Sequence, residues 1–125
     1  HPMLFVHLSL NNTSQLMACF GIEEFERLVV AFSQRLKRVF GTALLIARGF
    51  GNTFHVVMPL EEGRDLETNL LSVVAEPIEI QDMAVVVDVC AGTVALPDQA
   101  SNPREAMHRA AATLMEVKGT IPQPC

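Results

Sequence analysis

The sequence predicts an α+β domain: an antiparallel sheet with helices packed on it. Segments of two-residue and 3.6-residue apolar period succeed one another as strand, helix, hairpin, helix, hairpin, helix. That order lacks the strict strand–helix alternation of a parallel sheet and contains no internal repeat. At 125 residues the chain fits one domain, and with 50% apolar and 18% charged residues it can bury a core.

Each element has its own signal. Across residues 4–10, Leu4, Val6, Leu8 and Leu10 share one side of an extended segment while Phe5, His7 and Ser9 share the other, and apolar residues on both sides predict a central strand. Phe25, Leu28, Val29, Phe32, Leu36 and Val39 follow a helical period across residues 23–40. Glu23, Glu24 and Glu26 near its start and Arg35, Lys37 and Arg38 near its end complement the helix dipole, and Gly41 stops it. The polar stretch at residues 11–19 reads as a short preceding helix. Two apolar runs, residues 43–47 and 53–58, flank Phe50-Gly51-Asn52, where Gly and Asn tolerate the positive φ of a tight hairpin turn. Leu66, Leu70, Val73 and Val74 predict a helix, and residues 78–80 and 83–96 a second hairpin around Gln81-Asp82. Asn102-Pro103-Arg104-Glu105 is a helix start, with Met107, Ala110, Ala111 and Leu114 as the buried stripe, Lys118 in the last turn and Gly119 as the stop.

Composition narrows function. Nine basic against fourteen acidic residues give a formal charge of −5, which disfavours nucleic acid as a partner because phosphate neutralisation needs a basic face. The apolar runs fall far short of the roughly 20 residues that span a bilayer. Cys19, Cys90 and Cys125 are odd in number and widely spaced, so neither a disulfide framework nor a zinc site is expected, and Cys19 and Cys90 read as small buried hydrophobes. His7, His55 and His108 have no ligand-pair spacing and read as core or surface histidines, while methionines such as Met58, Met107 and Met115 read as core filler. The chain starts at His1 rather than Met and stops at Cys125, from which a piece of a longer protein is expected.

Two stretches carry a resemblance. Residues 46–59, IARGFGNTFHVVMP, resemble the arginine-plus-GGDEF hairpin of diguanylate cyclase domains, with Phe50, Gly51, Asn52, Thr53 and Phe54 in place of Gly-Gly-Asp-Glu-Phe. Ala91-Gly92-Thr93, Asn102-Pro103 and the run from Arg109 to Lys118 are similar to that family's closing strand and helix, Gly92 and Lys118 matching outright. The resemblance runs from Leu4 to Gly119.

In that family a carboxylate at the end of the first strand and another in the hairpin turn hold two magnesium ions against GTP. Aligned on Gly21, the first-strand position is Ser9, and the acidic positions of the turn are Asn52 and Thr53. Mg²⁺ prefers charged oxygens, and each unit-charge contact at ~4 Å is worth about 4 kcal/mol at an effective dielectric near 20, before desolvation. A degenerate, catalytically silent member is therefore expected, with no metal and no cofactor. Met17 replaces the family's guanine-binding Asn, Glu26 stands where a second guanine contact is usual, and Gly41 and Leu44 replace the Arg and Asp of the inhibitory product site. Phe50 puts a ring where backbone would approach the nucleotide. Residual nucleotide contacts would fall to Lys118, Arg48 and Glu26, although helix-end charge already accounts for Lys118 and a solvated helix face for Glu26.

The resemblance implies a ferredoxin-like, nucleotidyl-cyclase-type fold with a central, mostly antiparallel sheet of about five strands. The domain is expected over residues 3–120, with residues 121–125 beginning a linker. It further implies a regulatory or interaction domain in bacterial cyclic di-GMP signalling, with an adjacent EAL domain, a sensor domain or a second copy as partner. The expected location is cytoplasmic, including the cytoplasmic part of a membrane-anchored protein, with no direct membrane contact. Two alternatives stand beside it, a GTP-sensing allosteric module with weak nucleotide binding and a residual diguanylate cyclase.

Overall fold

A computed structural model describes residues 2–49, 51–97, 102–112 and 115–117. The first strand, β1 (Met3–Leu10), lies at the centre of a five-stranded antiparallel sheet. Its neighbours are β3 (Thr53–Pro59) on one side and β6 (Val89–Leu96) on the other, with β2 (Leu45–Arg48) outside β3 and β7 (Met115–Val117) outside β6. The expected central strand is thus observed, and its two-residue period sorts the molecule into two faces.

Leu4, Val6, Leu8 and Leu10 turn to the face covered by α1 (Thr13–Val39) and α2 (Leu66–Ala75). They bury against Phe25, Leu28, Val29, Phe32 and Leu36 of α1, Leu70, Val73 and Val74 of α2, and Phe54, Val56 and Met58 of β3. Phe32 and Phe54 meet with ring centroids 5.2 Å apart, and neither is exposed. The α1 span holds two helical pieces, because Gly21 sits at φ 84°, ψ 166° and breaks the helical path. That break bears out the short preceding helix and leaves Glu23 and Glu24 in the first turn of the second piece, where the dipole favours them.

On the opposite face α3 (Pro103–Ala112) packs against β6 and β1, with Ala110 buried on Phe5 and Val94. Its start is as the sequence predicts, since Asn102 Oδ1 accepts from the Glu105 N–H at 2.8 Å. Its end is not. The helix stops at Ala112 rather than continuing to Lys118, and Met115–Val117 instead forms β7, pairing with Val89, Cys90 and Ala91. The outer edge of β6 supplies backbone partners that no local pattern reveals. Leu114, Lys118 and Gly119 lie outside the described residues.

The second hairpin is also reorganised. β4 (Ile78–Ile80) pairs only with β5 (Met83–Val85), around Gln81 and Asp82 at positive φ. Residues 89–96 leave that hairpin for the main sheet, where β1 offers eight cross-strand pairs against the three available from β4. Cys19, expected to be buried, is exposed because it sits on the outward side of the first piece of α1, and Met17 and Met83 are exposed as well.

One side chain ties the two core-facing helices. The Arg35 guanidinium donates from Nη1 to the carbonyls of Val73 (2.9 Å) and Glu76 and from Nη2 to that of Pro77 (3.2 Å), serving carbonyl groups left unpaired where α2 ends. Arg35→Ala is expected to lower unfolding free energy by about 1–2 kcal/mol. Phe54→Ala, which empties a fully buried site, is expected to cost about 3–5 kcal/mol. Urea denaturation read by circular dichroism checks both values.

Candidate functional site

A cavity of about 230 Å³ opens where the β2–β3 turn approaches α1. Thr13 and Met17 from the first piece of α1, Ile22, Phe25 and Glu26 from the second, and Arg48, Gly51 and Asn52 from the hairpin line it. Gly51 takes φ 64°, a left-handed conformation that glycine adopts without a Cβ penalty, and the hairpin expected around Phe50-Gly51-Asn52 is formed. Phe50 itself lies outside the described residues, as does Lys118.

Glu26 and Arg48, singled out separately as nucleotide contacts, are brought together. Arg48 Nη1 donates to Glu26 Oε2 at 3.1 Å and Nη2 to Oε1 at 3.0 Å, a two-pronged pair across the cavity mouth. Nη2 also reaches the Gly51 carbonyl at 3.3 Å, so the guanidinium links α1 to the turn. Hydrogen bonding from Arg48 holds the Glu26 carboxyl below its usual range, and the same bond raises Arg48 above its own. Each charge satisfies the other, so a ligand using either one must compete for it. Both partners are exposed, which keeps the pair open to exchange with solvent. No local signal marks the pairing, because the two residues are 22 apart and meet only through the hairpin fold.

The ends of β1 and β3 beside the turn are neutral: Ser9 and Thr53 are cross-strand partners in the β1–β3 register, on the sheet face away from α1. Asn52 Nδ2 donates to the Leu10 carbonyl at 2.5 Å, and the Leu10 N–H returns a bond to the Asn52 carbonyl at 3.0 Å. The Asn52 amide is thereby committed to the end of β1. Ser9, Asn52 and Thr53 offer no carboxylate and so do not fit a magnesium ion, which proteins hold through one or two carboxylates together with substrate phosphates. Asp88, which sequence reading did not single out, stands half-buried just before β6, its backbone carbonyl accepting from the Asn11 N–H at 2.9 Å. Among the described residues no group of three or more His, Cys, Asp or Glu side chains is arranged to hold a metal. Gly41 and Leu44, at the remaining positions of interest, are exposed.

With fold and site in view, the chain belongs to the family described as "Diguanylate cyclase, GGDEF domain", whose sequence pattern matches residues 1–121. Solved structures agree on the fold. An EAL/GGDEF domain protein from M. capsulatus superposes with a TM-score of 0.81 at 18% identity, over 90% of this chain and 75% of that one. The FimX GGDEF domain from Pseudomonas aeruginosa gives 0.80 at 20% identity, over 90% and 72%. The diguanylate cyclase SiaD from the same organism, solved with its activator SiaC, gives 0.78 at 18% identity, over 90% of this chain and 44% of that one. No functionally curated protein matches the sequence. Among the described residues no helix is long and apolar enough to cross a membrane.

Two histidines read from the sequence as unrelated prove to be neighbours. His7 and His55 are cross-strand partners on the face away from α1, with His7 Nδ1 3.1 Å from His55 Nε2 and Phe5 stacked on His55 at 5.3 Å. Burial lowers the pKa of both, and His7 lowers that of His55 further. Unfolding returns each ring to an ordinary value near 6.5. Below that pH the unfolded chain therefore holds more protons than the folded one, and stability falls as acid is added until pH passes the lowered folded values. Urea midpoints are expected to drop between about pH 7 and about pH 5. That slope is expected to flatten in His7→Asn.

Proposed function

We propose that this GGDEF domain is catalytically silent and acts as a regulatory module in a bacterial cyclic di-GMP signalling protein, modulating an attached EAL domain or mediating dimerisation. The observation that carries the reading is the neutral pair at the strand end: Ser9 opposite Thr53, with the Asn52 amide spent on the Leu10 carbonyl. Phosphoryl transfer from GTP depends on cations that neutralise the triphosphate, and these side chains supply no charge to hold one. The EAL/GGDEF composition of the M. capsulatus relative and the activator bound to SiaD support partnering as a mode of action for such a domain. We take residues 3–120 as the domain and residues 121–125 as the start of a linker, with a cytoplasmic location.

A domain without chemistry acts by making different contacts in two states of its neighbours. A second reading, weak GTP sensing, draws on the 230 Å³ cavity and on Arg48, which a phosphate could take from Glu26. The test is direct. Incubation with GTP and Mg²⁺ or Mn²⁺, followed by chromatography, is expected to yield no cyclic di-GMP, and time-dependent product would overturn the silent reading. A GTP-dependent rise in melting temperature, lost in Arg48→Ala, would favour the sensing form over the purely structural one.

A further inference from the structure

We propose that His7 and His55 form a two-histidine site for a borderline divalent transition cation, Zn²⁺, Ni²⁺ or Cu²⁺, on the sheet face away from α1. This inference is independent of the function proposed above, because it uses neither the cavity nor the hairpin turn.

The register creates the pair. His7 of β1 lies directly opposite His55 of β3, and the ring nitrogens His7 Nδ1 and His55 Nε2 approach to 3.1 Å. Metal–imidazole bonds of about 2.0–2.1 Å put two coordinated nitrogens about 2.9 Å apart at a right angle and about 3.3 Å apart at the tetrahedral angle. The observed spacing falls between these values, so one ion can reach both nitrogens after the rings turn from facing each other to facing it.

The surroundings border the His55 ring and leave the pair approachable. Phe5 stacks on the His55 ring with planes 28° apart. Gly49 closes on its edge, since a Cβ there would lie 2.9 Å from His55 Cε1. The cross-strand positions flanking the pair are Ala47 on β2 and Gly92 on β6, so the neighbouring strands put no large side chain over it. Both histidines are half-buried, and α3 packs along Phe5 and Val94, one row away. Cys90, on the same face, turns its Sγ to Asn11 Oδ1 at 3.2 Å and stays outside the site. With two protein ligands among the described residues, the remaining coordination positions fall to water.

The exchange balances without redox chemistry. In the present N–H···N bond one ring donates its proton to the other. On coordination the donor ring carries that proton on its outward nitrogen instead, so both rings remain neutral and a divalent cation takes the place of the shared hydrogen. Imidazole donors select this group of cations over Mg²⁺ and Ca²⁺, with Cu²⁺ bound most tightly.

Untagged protein titrated with ZnCl₂, NiCl₂ or CuCl₂ alone by calorimetry is expected to show one saturable site per chain and a metal-dependent rise in melting temperature. Both effects are expected to be lost in His7→Asn and in His55→Asn, and kept in His1→Ala, Cys19→Ser and His108→Asn. A second measurement needs no variant at the site: in ¹⁵N spectra of the imidazoles, substoichiometric ZnCl₂ is expected to shift the ring nitrogens of His7 and His55. Absence of saturable binding, binding that persists in both site variants, or ring shifts confined to other histidines would overturn the proposal.

Discussion

The register between β1 and β3 is the constraint on which the rest of this structure depends. Side chains alternate faces along a strand, so a single register fixes Leu4, Val6, Leu8 and Leu10 toward the helices and Phe5, His7 and Ser9 away from them. A slip of one residue would put an imidazole where Val6 or Leu8 now sits, against Phe32 and Phe54, and would expose the leucines. Unpaired polar burial costs far more than a surface contact returns, so the slipped form is not a competitor. The same alignment sets Ser9 beside Thr53 and His7 beside His55, which makes the candidate site and the histidine pair consequences of core packing.

The hairpin turn at the candidate site is held by two different kinds of bond. One backbone bond and one from the Asn52 side-chain amide join Asn52 to Leu10 and tie the hairpin turn to the end of β1, and Arg48 ties it to α1 through Glu26. The turn is thus anchored by neutral bonds on one side and by a solvent-exposed ion pair on the other. The neutral anchor persists in any salt, while the ion pair is open to screening and to competing anions. A ligand or partner that takes Arg48 therefore loosens the turn from α1 without unseating it from the sheet.

Much of this was legible in the sequence because local periodicity and core burial agree. The central strand, the paired α1 pieces divided by Gly21, the first hairpin and the Asn102 cap are all written in spacing and in turn or cap residues. What escaped was non-local. β7 forms because β6 has a free edge, and residues 89–96 join β1 because a long partner outcompetes β4; neither fact is encoded in the few residues concerned. The Glu26–Arg48 pair and the His7–His55 contact join residues 22 and 48 positions apart, so their chemistry becomes visible only once the register is known. Cys19 misled for the opposite reason, since a small apolar side chain on the outer side of a short helical piece carries no periodic signal of its own.

The two faces of the sheet divide the work unequally. The α1 and α2 face holds the large cluster of buried residues and anchors α2 through Arg35, so it resists change as a unit. On the other face, among the described residues, the buried cluster is only Phe5, Val94 and Ala110, and Leu45 remains 54% exposed on the edge strand β2. Packing cooperativity grows with the number of mutually buried groups, so local opening should concentrate on this thinner side. Both features that could respond to a partner or ligand, the turn held by Arg48 and the His7–His55 pair, lie outside the large core. Either can therefore change its contacts while the register, and with it the fold, stays intact.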